Sequence, residues 1–299
     1  MEPVTISGPP ATPRAARPAR RDGTLRRFRR DVPAMTGAVL LGLFVLAAVC
    51  KPWIMPRDPD AQDLGHAFAA PFSPGHLLGT DNLGRDVASR LIAADQVALR
   101  AALTAVVVAM AVGIPLGFVA AYFGRWADMV ILRITDALQS LPPLMLAIAL
   151  LGAIGPGLTN AMVVIGLVFA PAFLRLVRAS TAEVLRESYV DASRAIGTSA
   201  VRLVATRVLP NAFPPVLVQI SIVTGLALIA EASLSLLGLG VTPPAASWGL
   251  MISQGYNFLY QQPWLVVLPG LTLAVAVLAL NLVGDGVRDA LGRGSGARR

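Results

Sequence analysis

Six apolar stretches, at about 35–55, 98–123, 129–153, 160–177, 213–239 and 264–284, constrain this sequence more than any other feature. Each is close to the ~20 residues that a helix needs to cross a bilayer. Inside hydrocarbon the backbone must satisfy its own N–H and C=O groups, so runs of this length predict helices. The first run could instead be the core of a signal peptide, with Ala67-Phe68-Ala69 resembling a cleavage site. That site lies too far beyond the run, and an uncleaved anchor is expected. Composition agrees, with 55% hydrophobic and 14% charged residues against roughly 25% charged in soluble domains. The expected fold is all-α, a polytopic membrane protein of six transmembrane helices.

Orientation follows from where basic residues are missing, because lysine and arginine near helix ends are retained in the cytoplasm. None occurs between Arg133 and Arg175 or between Arg207 and Arg288, so the links at 154–159 and 240–263 are expected to face outward. An impermeant reagent is accordingly expected to reach positions 247 and 261 from outside, but not position 199. The 175–212 loop holds Arg175, Arg178, Arg186, Arg194, Arg202 and Arg207, and the C-terminal tail holds Arg288, Arg293, Arg298 and Arg299. Both are expected to be cytoplasmic, as are both termini. The 56–97 segment carries three arginines and six aspartates, which a long outer loop tolerates.

Four regions follow. Residues 1–33, with eight arginines among Pro, Ala and Gly, read as a disordered cytoplasmic tail. Residues 34–97 comprise the first span and an extracytoplasmic loop, 98–287 a five-helix core with a cytoplasmic loop at 180–212, and 288–299 a cytoplasmic tail. The net charge of +8 lies in arginine blocks at the ends of apolar runs, so anionic membrane lipids rather than nucleic acid are the expected partner. Within the spans, Pro115, the Pro142-Pro143 pair and Pro269 each remove a backbone donor and are expected to kink or interrupt a helix. The single Cys50 excludes an internal disulfide framework, and with only His66 and His76 a structural zinc site is not expected.

The 180–212 loop reads as two short helices. Ser188 can cap the first with Asp191 three positions on, and Gly197 suits the left-handed residue that ends it. Ser199 can cap the second, which carries Val201, Val204, Ala205 and Val208 on one face. It is expected to stop near Leu209, since the residue before Pro210 is pushed out of the α region.

Tyr189, Asp191-Ala192-Ser193, Gly197 and Val208-Leu209-Pro210 resemble, at matching spacing, the Glu-Ala-Ala…Gly…Ile-Leu-Pro signature of binding-protein-dependent ABC importer permeases. Asp191 stands where that family has Glu. The resemblance extends over almost the whole chain and narrows to the dipeptide, oligopeptide and nickel branch, second or "C" type subunit. Further stretches carry it: Gly79-Thr80-Asp81-Asn82-Leu83-Gly84-Arg85-Asp86-Val87, Glu231 to Gly240 with Ser247-Trp248-Gly249, and Asn281 to Leu291. It implies a type I importer transmembrane domain, in the bacterial plasma membrane, forming half of a pathway for peptides, with nickel or another small solute as the alternative. Tyr189, Asp191, Ala192, Ser193, Gly197, Leu209 and Pro210 then form the loop that docks on an ATPase. The implied partners are a homologous permease as a heterodimer, one or two ABC ATPase subunits, and an extracytoplasmic solute-binding protein or lipoprotein.

No phosphate-binding Gly-x-x-x-x-Gly-Lys occurs, and the only lysine is Lys51. No cofactor is therefore expected in this chain; ATP and Mg would belong to the partner ATPases. Ionisable residues in spans are functional candidates. Glu231 is expected near the outer end of the fifth span, either meeting solute or binding a neighbouring helix. Arg133 and Asp136, one turn apart, are expected to pair and support an inner gate, and Asp285 and Arg288 repeat that spacing. A secondary transporter would need midplane carboxylates in repeated helix pairs, and no repeat is visible. A membrane hydrolase is not expected, since no histidine lies in a span and neither His-Glu-x-x-His nor Gly-x-Ser-x-Gly occurs.

Overall fold

The computed structural model describes residues 24–292. The expectations for residues 1–23 and 293–299 lie outside the described residues. Where the expected tail is described it is ordered helix: α1 (Thr24–Phe28) packs on the last helix, and Asp31 caps α2 (Val32–Ile54), accepting the Ala34 N–H at 3.2 Å. A carboxylate at the N-cap and Pro33 in the first turn are a strong local start signal, which the tail's composition obscured.

The second span, α3 (Val87–Phe123), begins well before the expected residue 98. Its 37 residues make it about 55 Å long against ~30 Å of hydrocarbon. The first four turns carry Arg90, Asp95 and Arg100, and residues 101–123 carry no charge. The apolar run marked only the part that lipid requires; in the part before it Arg90 and Asp95 are buried in protein, and Arg100 is exposed.

The third expected span is not one rod. α4 (Arg125–Gln139) and α5 (Pro143–Ile154) meet at 92° across Ser140–Pro142. The second proline lacks an N–H, and a residue before proline is forced from the α region, so two successive prolines stop the helix. Pro115 and Pro269, by contrast, lie inside unbroken helices, so the expected interruption occurs only at the pair. α6 (Leu158–Val184) follows, and the Gly157 N–H bonds the Leu239 carbonyl beyond the fifth span, 3.1 Å away. The α4–α5 pair therefore runs from one end of the bundle to the other and is a broken crossing.

After α6 come three short helices, α7 (Ser188–Ala195), α8 (Ala200–Leu203) and α9 (Leu209–Ala212), then α10 (Pro214–Leu236), α11 (Trp248–Tyr256) and α12 (Trp264–Gly292). The spans α2, α3, α4–α5, α6, α10 and α12 make six crossings. One end carries α7–α9. The other carries a cap made from residues 55–86 and 237–263.

The cap explains the Gly79–Val87 stretch residue by residue. Asp81 accepts the Leu83 and Arg85 N–H groups and the Arg85 Nε–H, at 2.9, 3.0 and 2.7 Å. Arg85 reaches on to Gln254 in α11, at 3.2 Å. Asp86 caps α3 through the Ser89 N–H and sits 3.0 Å from His76 Nδ1, both side chains buried. Thr80 bonds the backbone of His66 and Ala69. Gly84 has φ +73°, and a Cβ there would fall 1.7 Å from the Asp63 carbonyl oxygen. Arg90 is buried and donates to the carbonyl of Pro59 at 3.2 Å. On the cap surface His66 sits 2.8 Å from Asp63, and that hydrogen bond holds the Asp63 carboxyl below its ordinary pKa.

The most extensive helix packing is between α3 and α6. A Cβ at Gly113 would stand 2.4 Å from the Ala170 carbonyl oxygen, and one at Gly117 2.4 Å from that of Leu174. At Gly166 on α6 it would stand 2.6 Å from the Ala105 carbonyl oxygen. Small residues at such crossings let backbones approach, which is how helices gain contact where lipid offers no hydrophobic drive. Gly117→Val is therefore expected to destabilise the chain by at least the roughly 1–3 kcal/mol of an overpacked core, because its obstruction is backbone. The equivalent change at Gly152, where a Cβ meets nothing within 4 Å, is expected to leave stability near wild type. Thermal unfolding in detergent and abundance in membranes check both.

Candidate coupling site

The loop beyond α6 has its own small core. Val184, Val190, Leu203 and Val208 are buried against one another, with Leu185 and Phe118 of α3 packed onto them. A short helix cannot hold its shape in water alone, so this cluster fixes α7 and α8 to the ends of two spans.

α7 ends as the sequence indicates. Gly197 has φ +78°, and the Thr198 N–H reaches the Ser193 carbonyl at 3.1 Å, the 6→1 bond of a Schellman turn. A Cβ at Gly197 would meet nothing within 4 Å, so only backbone conformation demands glycine there. Beside it Ile196 is 83% exposed. Asp191, Ala192 and Gly197 lie on the exposed side of the loop, Ser193 is half-buried, and the Ser193 hydroxyl donates to the Tyr189 carbonyl at 2.7 Å.

The second helix departs from expectation. Backbone helicity continues through Leu209 and Pro210 to Ala212, because residues 204–208 form a π turn. The Leu209 N–H bonds the Val204 carbonyl five residues back, and Leu209 keeps helical φ/ψ of −58° and −48°. The wide turn accommodates Pro210, whose ring and missing N–H would break a regular α register. Asn211 then donates to the Arg207 carbonyl at 2.6 Å and lies 3.3 Å from the Tyr189 hydroxyl, tying α9 to α7.

The expected Arg133–Asp136 pair does not form. Asp136 pairs with Arg175 of α6 at 2.8 Å, and Arg133 is exposed. A second clasp joins the same helices: Arg178 forms a two-pronged ion pair with Asp128 in the first turn of α4. The sequence carried a signal for this, two aspartates eight apart on one helix against two arginines three apart on another. The signal was masked by the closer i,i+3 spacing of Arg133 and Asp136. The Asp285–Arg288 contact is loose, 3.9 Å between exposed groups.

Glu231 is 1% exposed at the cap end of α10. The Ser235 hydroxyl donates to it at 2.7 Å and accepts the Val241 N–H at 3.1 Å. Ser247 is itself fully buried as the N-cap of α11, so an external reagent does not reach it, contrary to expectation. Its role as a cap inside a folded connection outweighed its position in a polar stretch.

These features, the Gly197 turn on a packed loop and six crossings beneath a charged cap, coincide with a family. Residues 113–295 match the model of the binding-protein-dependent transport system inner membrane component, and residues 22–71 that of the N-terminal TM domain of oligopeptide transport permease C. The chain belongs to the first family.

Among relatives of this inner membrane component is a putative peptide transport system permease protein of Brucella abortus. It is 41% identical over 269 residues, covering 90% of each chain. The di/tripeptide transport system permease protein DppC of Pseudomonas aeruginosa is 39% identical, covering 88% of this chain and 89% of its own. A solved chain of the inward-facing MetNI methionine ABC transporter superposes with a TM-score of 0.56 at 20% identity, over 67% of this chain and 96% of that one. At that identity the superposition speaks to fold.

In this multi-pass inner membrane component the α4–α6 clasps are partly exposed, so each ion pair contributes modestly. Asp128→Arg and Arg178→Asp are each expected to lower stability by about 1 kcal/mol, and the double exchange to recover more than half of the combined loss. A double-mutant cycle on thermal unfolding in detergent checks this. Losses that simply add would show that the pair contributes nothing.

Proposed function

We propose that this chain is the membrane-spanning permease subunit of an ATP-driven peptide importer and that its α7–α9 loop receives the motion of separate ATPase subunits. The observation that carries the reading is the loop's construction. Ile196 and the Gly197 turn project from a cluster whose other side is Val184 and Phe118, at the ends of α6 and α3. A displacement of the tip is therefore delivered directly to the two most extensively packed spans. Peptide as the solute is supported by the names of relatives covering about nine-tenths of the chain.

In this reading ATP and Mg are bound by the ATPase partners, and this chain contributes no catalytic group. A homologous permease forms the other half of the pathway as a heterodimer, and an extracytoplasmic binding protein or lipoprotein delivers solute. The loop end, where α1 packs on α12, faces the cytoplasm, as the arginine distribution favours, so both termini lie inside. Arg133, exposed beside the α4–α6 clasps, belongs to the inner-gate region, whereas Glu231 supports the cap.

Orientation is tested with single cysteines in a Cys50→Ser background. Tyr260→Cys and Gln261→Cys are expected to react with an impermeant maleimide in intact cells, and Ser199→Cys only after permeabilisation. Labelling of position 199 in intact cells would reverse the topology.

Coupling is tested at the turn. A β-branched residue at Gly197 incurs roughly 1–3 kcal/mol of local strain and re-aims α7. Gly197→Val is expected to insert normally yet lose transport and solute-stimulated ATP hydrolysis. Asp191→Ala is expected to reduce both less, since it leaves the turn intact. Full transport by Gly197→Val would sink the assignment of this loop.

A further inference from the structure

The cap displays two large apolar side chains on a tight turn. Phe72 is 82% exposed and Leu77 62%. The Phe72 N–H donates to the Leu77 carbonyl at 3.0 Å, and Ser73 and His76 pair inside the turn. Phe72 therefore lies opposite Leu77, and opposite residues of an antiparallel pair share a face. The backbone at Phe72 has φ +66°, a left-handed conformation that a bulky residue rarely adopts. Phe68 is also left-handed, but its ring packs edge-on against Phe258, centroids 4.8 Å apart, and so helps to hold the cap together. The strain at Phe72 instead holds a ring outward. The base of the turn is rigid: His76 is buried and sits 3.0 Å from Asp86, the N-cap of α3.

Depth and charge narrow what covers this face. Arg100 is exposed on α3, so hydrocarbon ends near it, and Asp86 lies fourteen residues beyond, roughly 21 Å. The headgroup layer is only about 6 Å deep on each side, so lipid does not reach the turn. Between Met55 and Gly79 the sequence carries Asp58, Asp60 and Asp63 against Arg57, and all four are exposed. They edge the turn. Arg57 lies over Gly75, where a Cβ would fall 2.6 Å from its Nη2, and Asp63 holds His66, whose ring is 6.2 Å from that of His76. An apolar centre in a net acidic rim is the anatomy of a protein interface, and it calls for a socket with a basic rim.

We propose that Phe72 and Leu77 anchor the extracytoplasmic solute-binding protein, which seats them in an apolar pocket edged by lysine or arginine. The turn sits at the outer end of the longest helix, where a protein arriving from outside makes contact. A second permease would instead cover helix faces within the bilayer. The aspartates steer the encounter, and the aromatic anchor holds it. This assignment rests on the importer reading and adds to it the surface and the chemistry of docking.

The test begins with Phe72→p-benzoylphenylalanine in the full complex, irradiated in intact cells. The expected product joins this chain to an extracytoplasmic protein that, once purified, stimulates ATP hydrolysis by the reconstituted wild-type complex. In Phe72→Gly and Leu77→Asp the concentration of that protein giving half-maximal stimulation is expected to rise about tenfold, with the maximal rate unchanged. Glycine relieves the left-handed strain, so Phe72→Gly is expected to melt no lower than the wild type, which separates lost docking from lost folding. A crosslink to a permease or to phospholipid, the absence of any product, or an unchanged half-maximal concentration in both variants overturns the docking surface. If the crosslinked protein stimulates no hydrolysis by the wild-type complex, the importer reading falls with it.

Discussion

The approach of α3 to α6 through glycine is the contact on which the rest of the molecule depends. Three glycines put carbonyl oxygens of one helix where the other would carry a Cβ, so the pair can neither slide nor separate without losing most of its contact. Lipid tails solvate leucine as well as another helix does, and close backbone packing is what distinguishes the two. From that pair the chain builds outward in both directions. α3 rises into the cap, α6 descends into the α7–α9 loop, and the loop's small core closes on Phe118 of α3.

The two ends are built on opposite principles. The cap is a polar network in which many charges are matched: Asp81 by Arg85 and backbone donors, Asp86 by His76 and Ser89, Glu231 by Ser235. Buried polar networks of this kind are stable only when their members are satisfied, which makes Asp95 conspicuous. The coupling end rests on apolar burial and on two special backbone features, the left-handed turn at Gly197 and the π turn before Leu209. Such features hold a short element in one orientation with little mass.

The α4–α5 pair joins these schemes. A double proline breaks the span at 92°, and the ion pairs of Asp128 and Asp136 hold α4 to α6 near the coupling end. α5 bears an open apolar surface that includes Met145, Ile148 and Ile154.

The number of spans, the turn at Gly197 and the stop at Pro142-Pro143 were legible in the sequence because each is local. Hydropathy over twenty residues, a glycine after a short amphipathic run and two successive prolines act through neighbours in the chain. What remained hidden depends on the placement of distant helices. Asp136 had an arginine three residues away and chose one thirty-nine residues away, because the fold brings α6 nearer than the turn of its own helix. Ser247 looked like an exposed loop residue and became a buried cap, and α3 began eleven residues early because the cap shields its charges from lipid. Asp95 shows the same limit: its presence is written in the sequence, but only packing decides that, among the described residues, no hydrogen-bond donor answers it.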